Sequence, residues 1–342
     1  MRFITKYLDG YVLALLGMVA LACLLPARGG AVAPVEWATN IAIGLLFFLY
    51  GARLSTEETK EGFRHWRLHL LVLACTFVAF PLLGLVIRPI ADIFLPHTLS
   101  LGLLYLTLLP STVQSSVTFT SLARGNVAAS ICAASFSNML GVVLTPLLVI
   151  GVMGGQAAFS LDSAEKLIVQ LLLPFILGQF CHKRLGGFLA EHKQGLTYLD
   201  RGGIMLVVYS AFSAGMREHM WSHVTVWQVV ALLLICAVLL AVVMVGSYVT
   251  ARRLGFSRAD QVAIVFCGSK KSMASGLPMA TVLFPSGVGL LVLPLMMFHQ
   301  LQLIVCAQVA RQWPDKPALG RAPEDGVRAV SYTHLRAHET PE

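Results

Sequence analysis

Residues 265–279 read VFCGSKKSMASGLPM. The stretch lies inside a long apolar segment, yet it sets two lysines, Lys270 and Lys271, side by side among glycine and serine. Burying one lysine at the centre of a bilayer costs at least ~2.5–3.5 kcal/mol, and two roughly double that. Adjacent helical residues point about 100° apart, so one acid could not easily serve both. No acid is at hand in any case. Asp92, Asp162, Glu165, Glu218 and Asp260 typify the carboxylates, which fall in loops, near span ends or in the tail. What remains near the lysines is Ser269, Ser272 and Ser275, a polar and net positive centre suited to an anionic or polar solute.

The rest of the chain explains why this segment counts as membrane. Of 342 residues, 57% are hydrophobic and 12% charged, whereas soluble domains carry about 25% charge. A span needs roughly 20 apolar residues. Ten stretches qualify, at about 10–27, 38–53, 68–87, 99–122, 127–153, 165–181, 201–216, 224–250, 261–283 and 286–310. No repeated alternation suggests a barrel, so the spans are expected to be helices. Arg2 and Lys6 ahead of the first run, with small residues near Ala31–Ala33, also fit a cleaved signal peptide. Cleavage would remove one span and the symmetry described next.

Ten spans divide as five plus five: 1–153, then 154–311 in the opposite orientation, with a disordered tail over 312–342. Inverted repeats are a common transporter plan. The halves match in one respect. The fourth span reads LYLTLLPSTVQSSVTFTSL (104–122) and the ninth QVAIVFCGSKKSMASGLPMATVLF (261–284). Both are interrupted midway by small, polar and Pro/Gly residues, and paired interruptions point to a binding site at the midplane. The fourth span adds Ser111, Thr112, Gln114, Ser115, Ser116 and Thr118 to the site.

Charge placement orients the chain. One side receives Arg2, Lys6, Arg53, Lys60, Arg64, Arg67, Arg124, Lys183, Arg184, Lys193, Arg201, Arg252, Arg253 and Arg258; the other receives Arg28, Arg88, Lys166 and Arg217. The positive-inside rule then puts both termini in the cytoplasm, in the inner membrane of a bacterial cell. The basic residues are scattered and lack interleaved aromatics, which excludes nucleic-acid binding. The seven cysteines show no ligand spacing and read as small packing residues, with Cys267 set apart by its closeness to the lysines. The histidines read as loop or span-end residues, and His65 with His69 as an interfacial pair. Pro81, Pro146, Pro174 and Pro294 are expected to kink helices, and Asn126 to cap one. The last residues, VSYTHLRAHETPE (330–342), bear no relation to the rest and look like vector sequence.

At these residues a family resemblance becomes visible. TSLARGNVAAS (120–130) with LTPLL (144–148) resembles the fourth-to-fifth helix region of the bile acid:sodium symporter family. FCGSKKSMASGLPMA (266–280) and FLYGARLS (48–55) are similar to its SBF-like branch. The resemblance covers about residues 8–311. It implies ten helices in inverted five-helix repeats, with helices four and nine unwound and crossing, and a panel of helices 1, 2, 6 and 7 that rocks against a core. It also implies secondary transport of organic anions, often driven by Na+. Position by position, the sodium ligands of coupled members fall here on Ser116 and Val117, Ser130, Thr76, Ser269 and Met273, so most of them are replaced. Lys270 and Lys271 fall among the lost ligands. The expectation is therefore a transporter of a small organic anion, with a tethered ammonium in place of Na+ and no cofactor. The alternative is a membrane regulator that binds a ligand without moving it.

Overall fold

The computed structural model describes residues 10–53, 65–154, 168–217, 224–284 and 287–313. Lys60, Arg64, Lys166, most of the 154–164 linker and nearly all of the 312–342 tail lie outside the described residues. Among the described residues every regular element is helical. In order these are α1 (Gly10–Leu24), α2 (Val32–Arg53), α3 (Trp66–Phe94), α4 (His97–Thr107), α5 (Val113–Leu122) and α6 (Val127–Met153). Then come α7 (Leu173–Glu191), α8 (Lys193–Arg217), α9 (Val226–Arg253), α10 (Arg258–Gly268), α11 (Met273–Leu283) and α12 (Leu293–Gln312).

Among the described residues, five helical stretches are each long and apolar enough to cross a membrane: Gly29–Arg53, Trp66–Phe94, Val127–Met153, Val226–Arg253 and Val288–Gln312. In hydrocarbon every backbone polar group must be satisfied internally, which favours unbroken helix. Their outward faces are apolar, with Val226 82% and Ile93 75% exposed. Several helices outrun the apolar stretches that announce them. The continuation of α3 past residue 87 carries Arg88 and Asp92, an i,i+4 pair 3.7 Å apart. The start of α2 carries Glu36, 3.6 Å from Arg217. Charge ends the apolar run without ending the helix, because paired ions are tolerated at span ends.

The helices form two groups. In one, α1, α2, α7 and α8 pack together; the other gathers α3, α4, α5, α6, α9, α10 and α12; α11 lies between them, packing on both α8 and α12. Lipid gives helices no hydrophobic reason to associate, so close van der Waals approach does the work. At the α2–α7 crossing Gly51 meets the backbone of Phe175, and Gly178 meets that of Phe48. A Cβ at either position would collide with a carbonyl oxygen.

Helix α3 contains a π-helical turn over Cys75–Ala79. The Phe80 N–H bonds back to the Cys75 carbonyl rather than to Thr76. The next residue in that wider register is Pro81, which has no N–H to give. The Thr76 carbonyl is thereby left without a partner in its own helix, and such turns are frequent at functional sites. Pro81 sets this register, and Pro174 and Pro294 occupy the first turns of α7 and α12, each just behind another helical stretch. Pro174 thus follows a π-helical turn over Ile168–Leu172, the same order as at Pro81, and Pro294 follows a break at Val292 between the short helix Val288–Leu291 and α12. Pro146 lies within α6. Asn126 caps that helix, its Oδ1 accepting from the Ala129 N–H at 3.0 Å.

Candidate functional site

Helical backbone stops at Thr107 and resumes at Val113; it stops again at Gly268 and resumes at Met273. Each stop frees carbonyls and N–H groups that must be paired. The two stretches answer each other. Ser272 N–H donates to the Pro110 carbonyl at 2.8 Å, Ser111 Oγ to that of Cys267, and Ser116 Oγ to that of Phe266 at 3.0 Å. Side chains from neighbouring helices complete the set. Thr145 Oγ1 donates to Leu108 O at 3.0 Å, and Asn138 Nδ2 to Ser111 O at 2.7 Å. Gln302 binds both backbone groups of Lys271, accepting from its N–H at 2.9 Å and donating to its carbonyl at 3.0 Å.

The two lysines are fully buried, and their surroundings differ. Lys271 Nζ donates to three carbonyls: Thr76 at 2.9 Å, Thr107 at 2.8 Å and Leu109 at 2.7 Å. That uses every proton an ammonium has, and the Phe80 ring lies 4.1 Å away. The orphan carbonyl of the π turn and two carbonyls at the end of α4 converge on one cation. This is the kind of oxygen cage that could hold a bare monovalent ion, here filled by a side chain. Lys270 Nζ has no hydrogen-bond partner among the described residues. It sits 4.0 Å from the Phe119 ring centre and 5.4 Å from that of Phe266.

The other expected residues divide in two. Gln114, Ser115 and Ser272 line a cavity of about 810 Å³ between the two helix groups. Ser269 Oγ donates to its own helix at Val265 O, 2.6 Å. Ser130 lies 3.1 Å from Cys267 Sγ and accepts from Thr120 at 3.2 Å. Thr76 turns its hydroxyl to Val72 O at 2.8 Å and offers the lysine only its carbonyl. These residues, with Ser116, hold the non-helical stretches together away from the cavity wall.

The cavity also contains groups that sequence reasoning missed. Tyr11, Tyr50, Arg53, Asp200 and Arg201 face it from α1, α2 and α8, and Asn138 and His299 from α6 and α12. Asp200 stands at the near end of the span expected over 201–216; α8 begins at Lys193, so Asp200 is two turns into the helix rather than in a loop. Arg53 Nη1 pairs with its Oδ2, and Arg201 stacks over the Tyr11 ring at 5.0 Å. His299 is likewise not at a span end; its Nδ1 lies 2.8 Å from Gln302 Nε2, beside Lys271. His69 lies one turn inside α3 and is buried, with its ring 5.7 Å from that of Phe136. A readable signal existed for Asn138 and Gln302, since amides inside apolar spans are costly unless they have partners.

The comparisons agree with this picture. Residues 9–315 match the SBF-like CPA transporter family. The protein PA2026 of Pseudomonas aeruginosa is 52% identical over 89% of this chain and 92% of its own. YfeH of Escherichia coli K12, named a candidate symporter, is 47% identical over 90% of this chain and 93% of its own. The zebrafish protein named sodium/bile acid cotransporter 7 is 28% identical over 87% and 91%. A family of transporters, apolar spanning helices and a cavity with charged and polar groups between two helix groups agree in making this a multi-pass membrane transporter rather than an enzyme. The chain belongs to the SBF-like CPA transporter family.

Proposed function

We propose that the protein is a secondary transporter of a small organic anion that works without bound Na+. The observation that carries the reading is Lys271, whose ammonium occupies an oxygen cage of Thr76, Thr107 and Leu109 carbonyls. A tethered cation there supports the crossing at every stage of a cycle, so no ion needs to arrive or leave.

In this reading the ten spans form an inverted five-plus-five repeat. Helices α4 and α5 are the two halves of the fourth span, and α10 and α11 those of the ninth. The group α1, α2, α7 and α8 is the moving panel and the other group the core. The cavity is framed by the start of α1, the end of α2 and the start of α8, through Tyr11, Arg53 and Arg201. Charge bias makes that side cytoplasmic, and this reading then has the cavity opening inward in an inner-membrane protein with both termini inside. Two arginines face one carboxylate across the described lining, and that carboxylate is already paired with Arg53. The residual charge is positive and favours an anion. Gln114, Ser115 and Ser272 then offer neutral hydrogen bonds deeper in.

Reconstituted liposomes test this. Purified protein should give saturable uptake of at least one organic anion from a panel of aromatic and aliphatic carboxylates and sulfonates. Binding of such an anion with no flux in either direction would instead support the non-transporting regulator.

A further inference from the structure

Lys270 is the buried group that the proposed cycle leaves unused. Its side chain is fully buried, and its Nζ makes no hydrogen bond among the described residues. Desolvating an ammonium costs several kcal/mol even after relaxation. Ring contacts return a share of that at a desolvated site. The two rings at 4.0 and 5.4 Å therefore offset only part of the cost. The neighbour Lys271 shows what full satisfaction looks like in the same backbone stretch. Lys270 keeps three donors idle in a protein that pairs nearly every other polar group of the non-helical stretches.

The position of Phe119 gives that idleness a use. Phe119 lies on α5 one turn beyond Ser115, and both residues line the cavity. Its ring is thus a wall shared by the cavity on one side and the Lys270 ammonium on the other. The ring is only partly buried, so it has room to turn toward the open side. We propose that Lys270 is a latent anion site behind Phe119: a carboxylate or sulfonate that reaches the deep end of the cavity displaces the ring and takes the free ammonium protons. The exchange trades one cation–ring contact for charge-assisted hydrogen bonds, which are about twice as strong as neutral ones. It also gives the site a preference for anions carried on a flat apolar body, which can stack where Phe119 leaves. The inference rests on the anion reading above and names the group that would receive the charge.

Trinitrobenzenesulfonate tests it directly, since the reagent is a flat arenesulfonate that arylates lysine amines. Labelling of each lysine is read by peptide mass spectrometry on protein in detergent micelles. Lys270 should label while Lys271 stays inert. Phe119→Ala should speed Lys270 labelling about tenfold, the factor that matches removal of a ring contact worth ~1.4 kcal/mol. Unreactive benzenesulfonate should slow it in the wild-type protein. Should Phe119→Ala not fold, Phe119→Leu, which keeps an apolar wall without the ring, carries the same expectation at smaller amplitude. Lys270 as inert as Lys271 in both proteins, or a rate indifferent to residue 119 or to benzenesulfonate, overturns the proposal. The labelling reads geometry and not flux, so a failed transport assay would leave this result standing, and the reverse holds too.

Discussion

Lys271→Met removes the fold's central fastening, and the expected result is a loss of about 3–5 kcal/mol of stability, the cost of deleting one partner from a buried charged network. Three carbonyls, those of Thr76, Thr107 and Leu109, lose their donor at once. None has a substitute nearby: the Thr76 carbonyl faces Pro81, Thr107 is the last residue of α4, and Leu109 lies beyond its end. Each stranded carbonyl costs about 1–3 kcal/mol, and relaxation keeps the sum below the simple total. Lys270→Met is the control, one residue away and with the same change in shape. It removes a buried cation that lacks hydrogen bonds, so stability should stay level or rise, as when buried charges give way to apolar groups of similar volume. Melting of the two variants in detergent, side by side, reads the difference. Equal losses at both positions would mean that the two ammonium groups are held alike.

The second large effect concerns the cavity charge. Arg201→Glu should raise the KM for an anionic substrate about a hundredfold or more, since a hydrogen bond to a charged group is worth about 1.5–3 kcal/mol and here attraction becomes repulsion. The fold should persist, because Arg201 is bonded to its surroundings mainly through the Tyr11 ring. Asp200→Arg should behave differently. It sets a second cation against Arg53, and both expression and uptake should fall. Adding Arg53→Asp to that variant recreates the pair with its ends exchanged and should recover expression. Uptake assays over a range of substrate concentrations separate these outcomes. An unchanged KM in Arg201→Glu would place the anion elsewhere in the cavity.

The sequence carried the polar interruptions clearly. Ser, Pro and Lys inside two long apolar runs marked residues 108–112 and 269–272 as the centre of interest, because such residues cannot lie in hydrocarbon without a reason. It could not say which lysine did what. The difference between Lys270 and Lys271 depends on a π turn in α3 that presents the Thr76 carbonyl, and nothing local distinguishes that turn from ordinary helix except Pro81. Hydroxyl groups were harder still. Ser115 and Ser116 are adjacent, yet one lines the cavity while the other ties α5 to Phe266. Asp200 was missed because the apolar run of its helix starts after it. The helix itself begins at Lys193, and a carboxylate paired with Arg53 is tolerated there.

The most direct test of a lysine standing in for the ion is thermal melting of the detergent-purified protein with organic anions, each in Na+ and in choline. A ligand at about 100 times its Kd adds about 2.7 kcal/mol to the native state, enough to move the transition visibly. If Lys271 does the work of a bound ion, an anion that stabilises in Na+ should stabilise equally in choline. Stabilisation confined to Na+ would contradict the account and require sodium ligands elsewhere in the protein.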